Sequence, residues 1–124
     1  MITKDHTVVV LGASNKAERY SNKAIRQLKQ HHYRVIPVHP LLHEIEGIPV
    51  AKRLDQIQEK VDTLTVYLEP QKSQSLIASI VALRPGRVIL NPGTESVELE
   101  NRLSQNKIPC IKACTLVLLQ SGEF

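Results

Sequence analysis

The stretch Val8-Val9-Val10-Leu11-Gly12-Ala13-Ser14-Asn15 decides how this chain reads. Four apolar residues, three of them β-branched, stop at a glycine, and small polar residues follow before a helical pattern begins. A continuous apolar run of this kind is a strand buried on both faces, as in a parallel sheet covered by helices. Glycine at its end lets the backbone approach a diphosphate closely, and Ser14 and Asn15 supply short side chains that cap a helix or donate to phosphate. The stretch points to a nucleotide-like ligand without saying which.

Working outward, the same unit recurs. The first strand runs from Thr7 to Leu11, and Ala24, Ile25 and Leu28 mark an amphipathic helix over Ser21 to His31, with Ser21 as its cap. Arg34 to Val38 is a second strand, stopped by Pro40. A loop carries Glu44-Ile45-Glu46-Gly47-Ile48-Pro49-Val50, and Leu54 to Glu59 suits a short helix. Val61 to Leu68 is the third strand, ended by Glu69-Pro70. Leu76, Ile77, Ile80, Val81 and Leu83 form the apolar face of the next helix, which stops before Pro85-Gly86. Arg87 to Leu90 is the fourth strand, and Asn91-Pro92-Gly93 leads into a helix from Thr94 to Gln105. Ile108 to Ile111 is the fifth, with a short terminal helix over Ala113 to Gln120. Alternation of this kind gives right-handed βαβ crossovers. The expected fold is an α/β, Rossmann-like three-layer domain with a five-stranded parallel sheet in the order 3-2-1-4-5. Its ligand crevice is expected at the carboxyl ends of the strands.

The 124 residues make one domain, spanning 1–124, and the 42% hydrophobic content with 3% aromatic builds its core from Val, Ile and Leu. A formal net charge of +4 fits a solvated surface or a pocket for a polyanion. No basic cluster is interleaved with aromatics, which argues against nucleic acid. Met1 to His6 is too charged for a leader, and no apolar run reaches membrane-spanning length, so a cytoplasmic protein is expected. The two cysteines form no CxxC pair and no metal set. No nucleophile elbow, phosphate-loop lysine motif or paired carboxylates appear, so no catalytic residues are assigned. His31-His32 ends a helix, where cations favour the dipole.

The dinucleotide fingerprint is incomplete. From Gly12 the chain reads Gly-Ala-Ser-Asn-Lys-Ala, keeping only the first glycine. Val38-His39-Pro40 supplies no acid for a ribose hydroxyl. His39 reads either as a neighbour of a ribose phosphate or as an ordinary loop histidine. Lys16 and Arg19 read either as charges for a polyanion or as solvated charge.

An ordered series of segments runs through most of the chain. It comprises Val10-Leu11-Gly12-Ala13-Ser14-Asn15-Lys16 with Arg19-Tyr20-Ser21, then Tyr33 to Pro40, Glu44 to Val50, Val61 to Leu68, and Asn91-Pro92-Gly93-Thr94-Glu95. In this it resembles the small standalone CoA-binding domain family, related to the amino-terminal domain of the succinyl-CoA synthetase α subunit. The resemblance implies coenzyme A or an acyl-CoA lying across the strand ends. Gly12, Ala13, Ser14 and Asn15 would hold the diphosphate, with Lys16, Arg19 and Ser21 nearby. Val38, His39 and Pro40 would border the adenosine end, and Leu68, Glu69, Pro70, Asn91, Pro92 and Gly93 the pantetheine side. The chain departs from the family pattern before the fourth-strand turn and at Lys112-Ala113-Cys114-Thr115-Leu116. There Cys114 reads either as a thiol facing the CoA sulfur, its pKa lowered by Lys112, or as core; Cys110 reads as core.

The reading that follows is a non-catalytic CoA or acyl-CoA binding protein, a sensor or regulatory module, with a homodimer or a protein partner as open possibilities. The alternatives are an enzyme or redox protein using an NAD(P)-type dinucleotide, and a scaffold with a vestigial pocket.

Overall fold

In the computed structural model, which describes residues 2 and 4–124, the apolar run is strand β1 (Thr7–Leu11), buried along its whole length. Met1 and Thr3, within the stretch read as too charged for a leader, lie outside the described residues. There follow α1 (Tyr20–Gln30), β2 (Arg34–Val38), the short strands β3 (Glu44–Ile45) and β4 (Ile48–Pro49), and a 3-10 turn at Leu54–Gln56. The second half contains β5 (Thr63–Val66), α2 (Pro70–Ser73), a 3-10 turn at Gln74–Leu76, α3 (Ile77–Leu83), β6 (Arg87–Leu90), α4 (Val97–Gln105), β7 (Cys110–Lys112) and α5 (Thr115–Ser121).

Five strands form one parallel sheet in the order β2-β1-β5-β6-β7. Counting only these strands the order is 2-1-3-4-5, which corrects the expected 3-2-1-4-5. The physical reason lies in β2 and β5. Strand β5 is buried at all four residues, which suits an interior position, whereas β2 begins with exposed Arg34 and contains Pro37. Proline cannot donate to a ladder and belongs on an edge. The Pro37 carbonyl faces outward and accepts from Ala51 N at 2.9 Å, so its hydrogen-less nitrogen faces outward too.

Two apolar layers flank the sheet. On one face Val9, Leu11, Leu64, Val66, Val88 and Leu90 pack against Ile77 and Ile80 of α3 and Leu99 and Leu103 of α4. On the other, Val8, Val10 and Val35 pack against Ile25 and Leu28 of α1 and Leu119 of α5. Each such side chain taken fully from water contributes about 1.5–3 kcal/mol. The 44–50 segment is a β-hairpin rather than a plain loop: Glu46 and Gly47 both have positive φ (51° and 75°), as the tight turn requires. Ser21 is not the cap of α1. That position is Arg19, and Ser21 is buried within the helix.

Candidate functional site

Crossovers leave β1 and β5 toward opposite faces of the sheet, so the crevice between their carboxyl ends is the topological switch point. Gly12 sits there at φ +86°. A Cβ on it would come within 3.0 Å of the Tyr67 carbonyl carbon and of a Leu68 methyl. Glycine is therefore demanded by the packing of β1 against the end of β5, before any ligand is considered.

Ala13 is buried and donates its N–H to Val38 O at 3.3 Å, joining the ends of β1 and β2. Among the described residues no acceptor meets the N–H of Ser14 or Asn15. Ser14 Oγ accepts from Lys16 N at 3.1 Å, and Lys16 and Arg19 are exposed on the same loop. Asn22, fully buried on α1, braces this loop: its amide donates to Ser14 O at 2.9 Å and to Glu46 Oε2 at 3.2 Å. Arg26 donates to Asn22 Oδ1 at 2.8 Å and to Ala17 O at 2.8 Å. Sequence reasoning missed Asn22 and Arg26; a buried asparagine inside an amphipathic helix was the available signal.

At the end of β2, Val38 is buried and Pro40 exposed. His39 Nδ1 accepts the N–H groups of Leu41 and Leu42 at 3.0 and 3.1 Å. In the neutral ring the proton therefore sits on Nε2. Beyond β5, Leu68 is half-buried, Glu69 is exposed, and Pro70 opens α2. Beyond β6, Pro92 and Gly93 are exposed, but Asn91 is buried and fully engaged within the protein. Its amide donates to Thr65 Oγ1 (2.7 Å) and Val66 O (2.9 Å), and its oxygen accepts from Thr115 N (2.9 Å). Asn91 thus knits three strand and helix ends together. The structure places fourteen of the sixteen expected residues at this edge of the sheet as loop and strand-end positions; Pro70 opens α2, and Ser21 is inside α1.

Tyr67 packs on the α1 and α5 side. Its hydroxyl is buried beside Thr65 and Thr115, which bond each other at 2.8 Å, and has no hydrogen-bond partner of its own among the described residues. Burial pushes its pKa up to about 12. Cys114, half-buried, stands at the amino-terminal end of α5. The Lys112 ammonium lies 3.7 Å from Glu100, and its field falls on Cys110. Cys110 is half-buried, and burial raises its pKa.

A cleft of about 940 Å³ lies elsewhere, between the outer edge of β2, the hairpin and residues 56–59. It shares no residue with the strand-end set. Among the described residues no three His, Cys, Asp or Glu side chains are grouped to hold a metal. No helix among them is long and apolar enough to cross a membrane.

A family model described as CoA binding domain matches residues 6–120. A crystal structure of an uncharacterized protein is 38% identical, covering 98% of this chain and 100% of that one, with a TM-score of 0.85. The structure of cell-free ID.343 from Thermus thermophilus is 32% identical over 96% of this chain and 90% of that one, with a TM-score of 0.87. The dinucleotide forming acetyl-coenzyme A synthetase 1 of Ca. Korarchaeum cryptofilum shares the fold at a TM-score of 0.75. It is 17% identical and matches 88% of this chain but only 26% of its own length.

Proposed function

The chain belongs to the CoA binding domain family, and from that premise we propose that it binds coenzyme A or an acyl-CoA across the carboxyl ends of β1, β2, β5 and β6. The observation that carries the reading is the Ser14-Asn15 turn. It offers two backbone N–H groups without an acceptor among the described residues at the switch point of a parallel sheet, braced from below by Asn22. Such a turn suits a diphosphate. Lys16 and Arg19 are exposed beside it as mobile positive charge. His39, with its proton on Nε2, presents a donor at the end of β2, where an NAD site requires an acceptor for a ribose hydroxyl. Glu46, the carboxylate that returns toward this loop, is bonded to Asn22 on α1 instead.

The finer role is that of a binding module, a sensor or partner regulator, rather than an enzyme. Asn91 and Thr115 are engaged with each other, and the Tyr67 hydroxyl is buried, so the polar groups nearest the strand ends serve the fold. Calorimetric titration with CoA, acetyl-CoA, NAD and NADP tests the reading. Saturable heat with CoA and acetyl-CoA is expected. Heat with NAD but not CoA would overturn the assignment, and silence with all four would favour a scaffold.

A further inference from the structure

At the opposite end of the sheet, separate pieces of chain converge on His6. Its ring meets Tyr33 edge-on at 5.2 Å between centroids and Phe124 at 5.8 Å, and Tyr33 and Phe124 meet each other at 5.2 Å. Lys4 Nζ lies 4.1 Å from the Tyr33 centroid, and the Arg87 guanidinium carbon 4.6 Å from that of Phe124. Phe124 is tied to α5 through its own N–H, which donates to Leu118 O at 3.1 Å. A helix of seven residues is too short to persist in water alone, so α5 depends on what docks it.

The hydrogen bonds in this cluster have a defined polarity. Arg87 Nε donates to Thr63 Oγ1 at 2.8 Å, and His6 Nε2 lies 2.9 Å from the same oxygen. Thr63 is fully buried and has one hydroxyl proton. Thr63 Oγ1 accepts from Arg87, which leaves its own proton to donate to a neutral His6 Nε2, and in that tautomer the ring carries its proton on Nδ1. Protonation would turn Nε2 into a second donor aimed at Thr63 and strand the hydroxyl proton. It would also add a cation beside Arg87, whose Nη2 is buried without a partner among the described residues, and near Lys4. The facing carboxylate, Asp62, already accepts Thr7 N at 2.8 Å and pairs with Lys60 at 3.9 Å. Burial, opposed by Asp62 and reinforced by Arg87 and Lys4, holds the imidazole below its ordinary 6.5.

We propose that this cluster is an acid-sensitive latch: neutral His6 holds Phe124, and with it the carboxyl-terminal turn of α5, against the foot of the sheet, and protonation of His6 loosens that turn. The latch stands independently of what the strand ends bind. Its sign is set by linkage. Below 6.5 the released form takes up a proton that the latched form resists, so the latched population is full above that pH and falls as the pH drops.

Hydrogen exchange of α5 backbone amides against pH, corrected for the intrinsic rate, tests this. Protection should fall by up to about tenfold per pH unit below 6.5, in excess of any change in β1. His6→Gln places a carboxamide oxygen near Nε2, accepts from Thr63 and does not titrate, so it should remove the excess loss. Equal acid loss in His6→Gln, or α5 tracking β1 throughout in the parent protein, would overturn the proposal. Should His6→Gln fail to fold, NMR titration of the His6 ring decides. Its midpoint should lie below 6.5 and move toward it in Phe124→Ala. An unmoved midpoint would refute the latch.

Discussion

Gly12 was legible in the sequence as a special position, but the first reason for it is steric. At φ +86°, with Tyr67 and Leu68 atoms 3.0 Å from where a Cβ would sit, Gly12→Ala combines left-handed strain with overpacking. We expect a loss of about 2–4 kcal/mol in urea unfolding, so this substitution reports on the fold and cannot test ligand contact. His39 separates the two roles better. Asparagine puts an acceptor oxygen near Nδ1, whereas alanine leaves the Leu41 and Leu42 N–H groups without it. His39→Ala should cost about 1 kcal/mol and His39→Asn clearly less; identical urea midpoints would mean that the two bonds hold nothing. Tyr67→Phe removes a buried hydroxyl without a partner among the described residues and should leave stability unchanged or raise it by up to about 1 kcal/mol. A clear loss would reveal a partner for that hydroxyl. The His39 bonds are local, to residues two and three positions on, whereas the surroundings of Gly12 and Tyr67 are not encoded by local spacing, because each depends on chain distant in sequence.

Elements were read closely where a local signal exists. Strands β1, β2 and β6 fall where their apolar runs lie, and α3 stops before Pro85-Gly86 as expected. The hairpin at 44–49 reads as a loop in the sequence because its strands are two residues each, although the Glu46-Gly47 turn between Ile45 and Ile48 carries the signal. The long helix expected from Thr94 begins at Val97, since Ser96 Oγ accepts Leu99 N at 3.2 Å and caps it there. What sequence patterning does not reveal is how elements are tied at their ends. Asn91, expected as a lining residue, is a tie. Asn91→Ala would leave Thr65 Oγ1, Val66 O and Thr115 N without it in a buried place. The expected loss is about 2–5 kcal/mol, read by thermal or urea unfolding, with α5 amides losing protection first. A loss below about 1 kcal/mol would mean that water replaces the side chain easily.

For the whole molecule, the fold class follows from alternation of strand and helix, whereas strand order does not, since it rests on pairings across tens of residues. Pro37 in β2 carried the missing clue, because a strand holding a proline belongs at an edge and leaves β5 to lie beside β1. That order matters for function: it puts the switch point between β1 and β5, with the Ser14-Asn15 turn above it and the exposed Lys16 and Arg19 at its rim. With a net charge of +4, the chain draws polyanions from any direction, so a general attraction must be told apart from a local one. Lys16→Ala combined with Arg19→Ala does so, because both side chains are exposed and their loss should leave unfolding unchanged within about 0.5 kcal/mol. At about 0.01 M salt, where screening extends only beyond roughly 30 Å, CoA affinity should drop about fivefold in the double variant. At about 1 M salt, with a screening length near 3 Å, the two proteins should bind within about twofold of each other. Equal affinity at low salt would remove both residues from the site, while an equal deficit at both salts would indicate direct, short-range contacts instead of field.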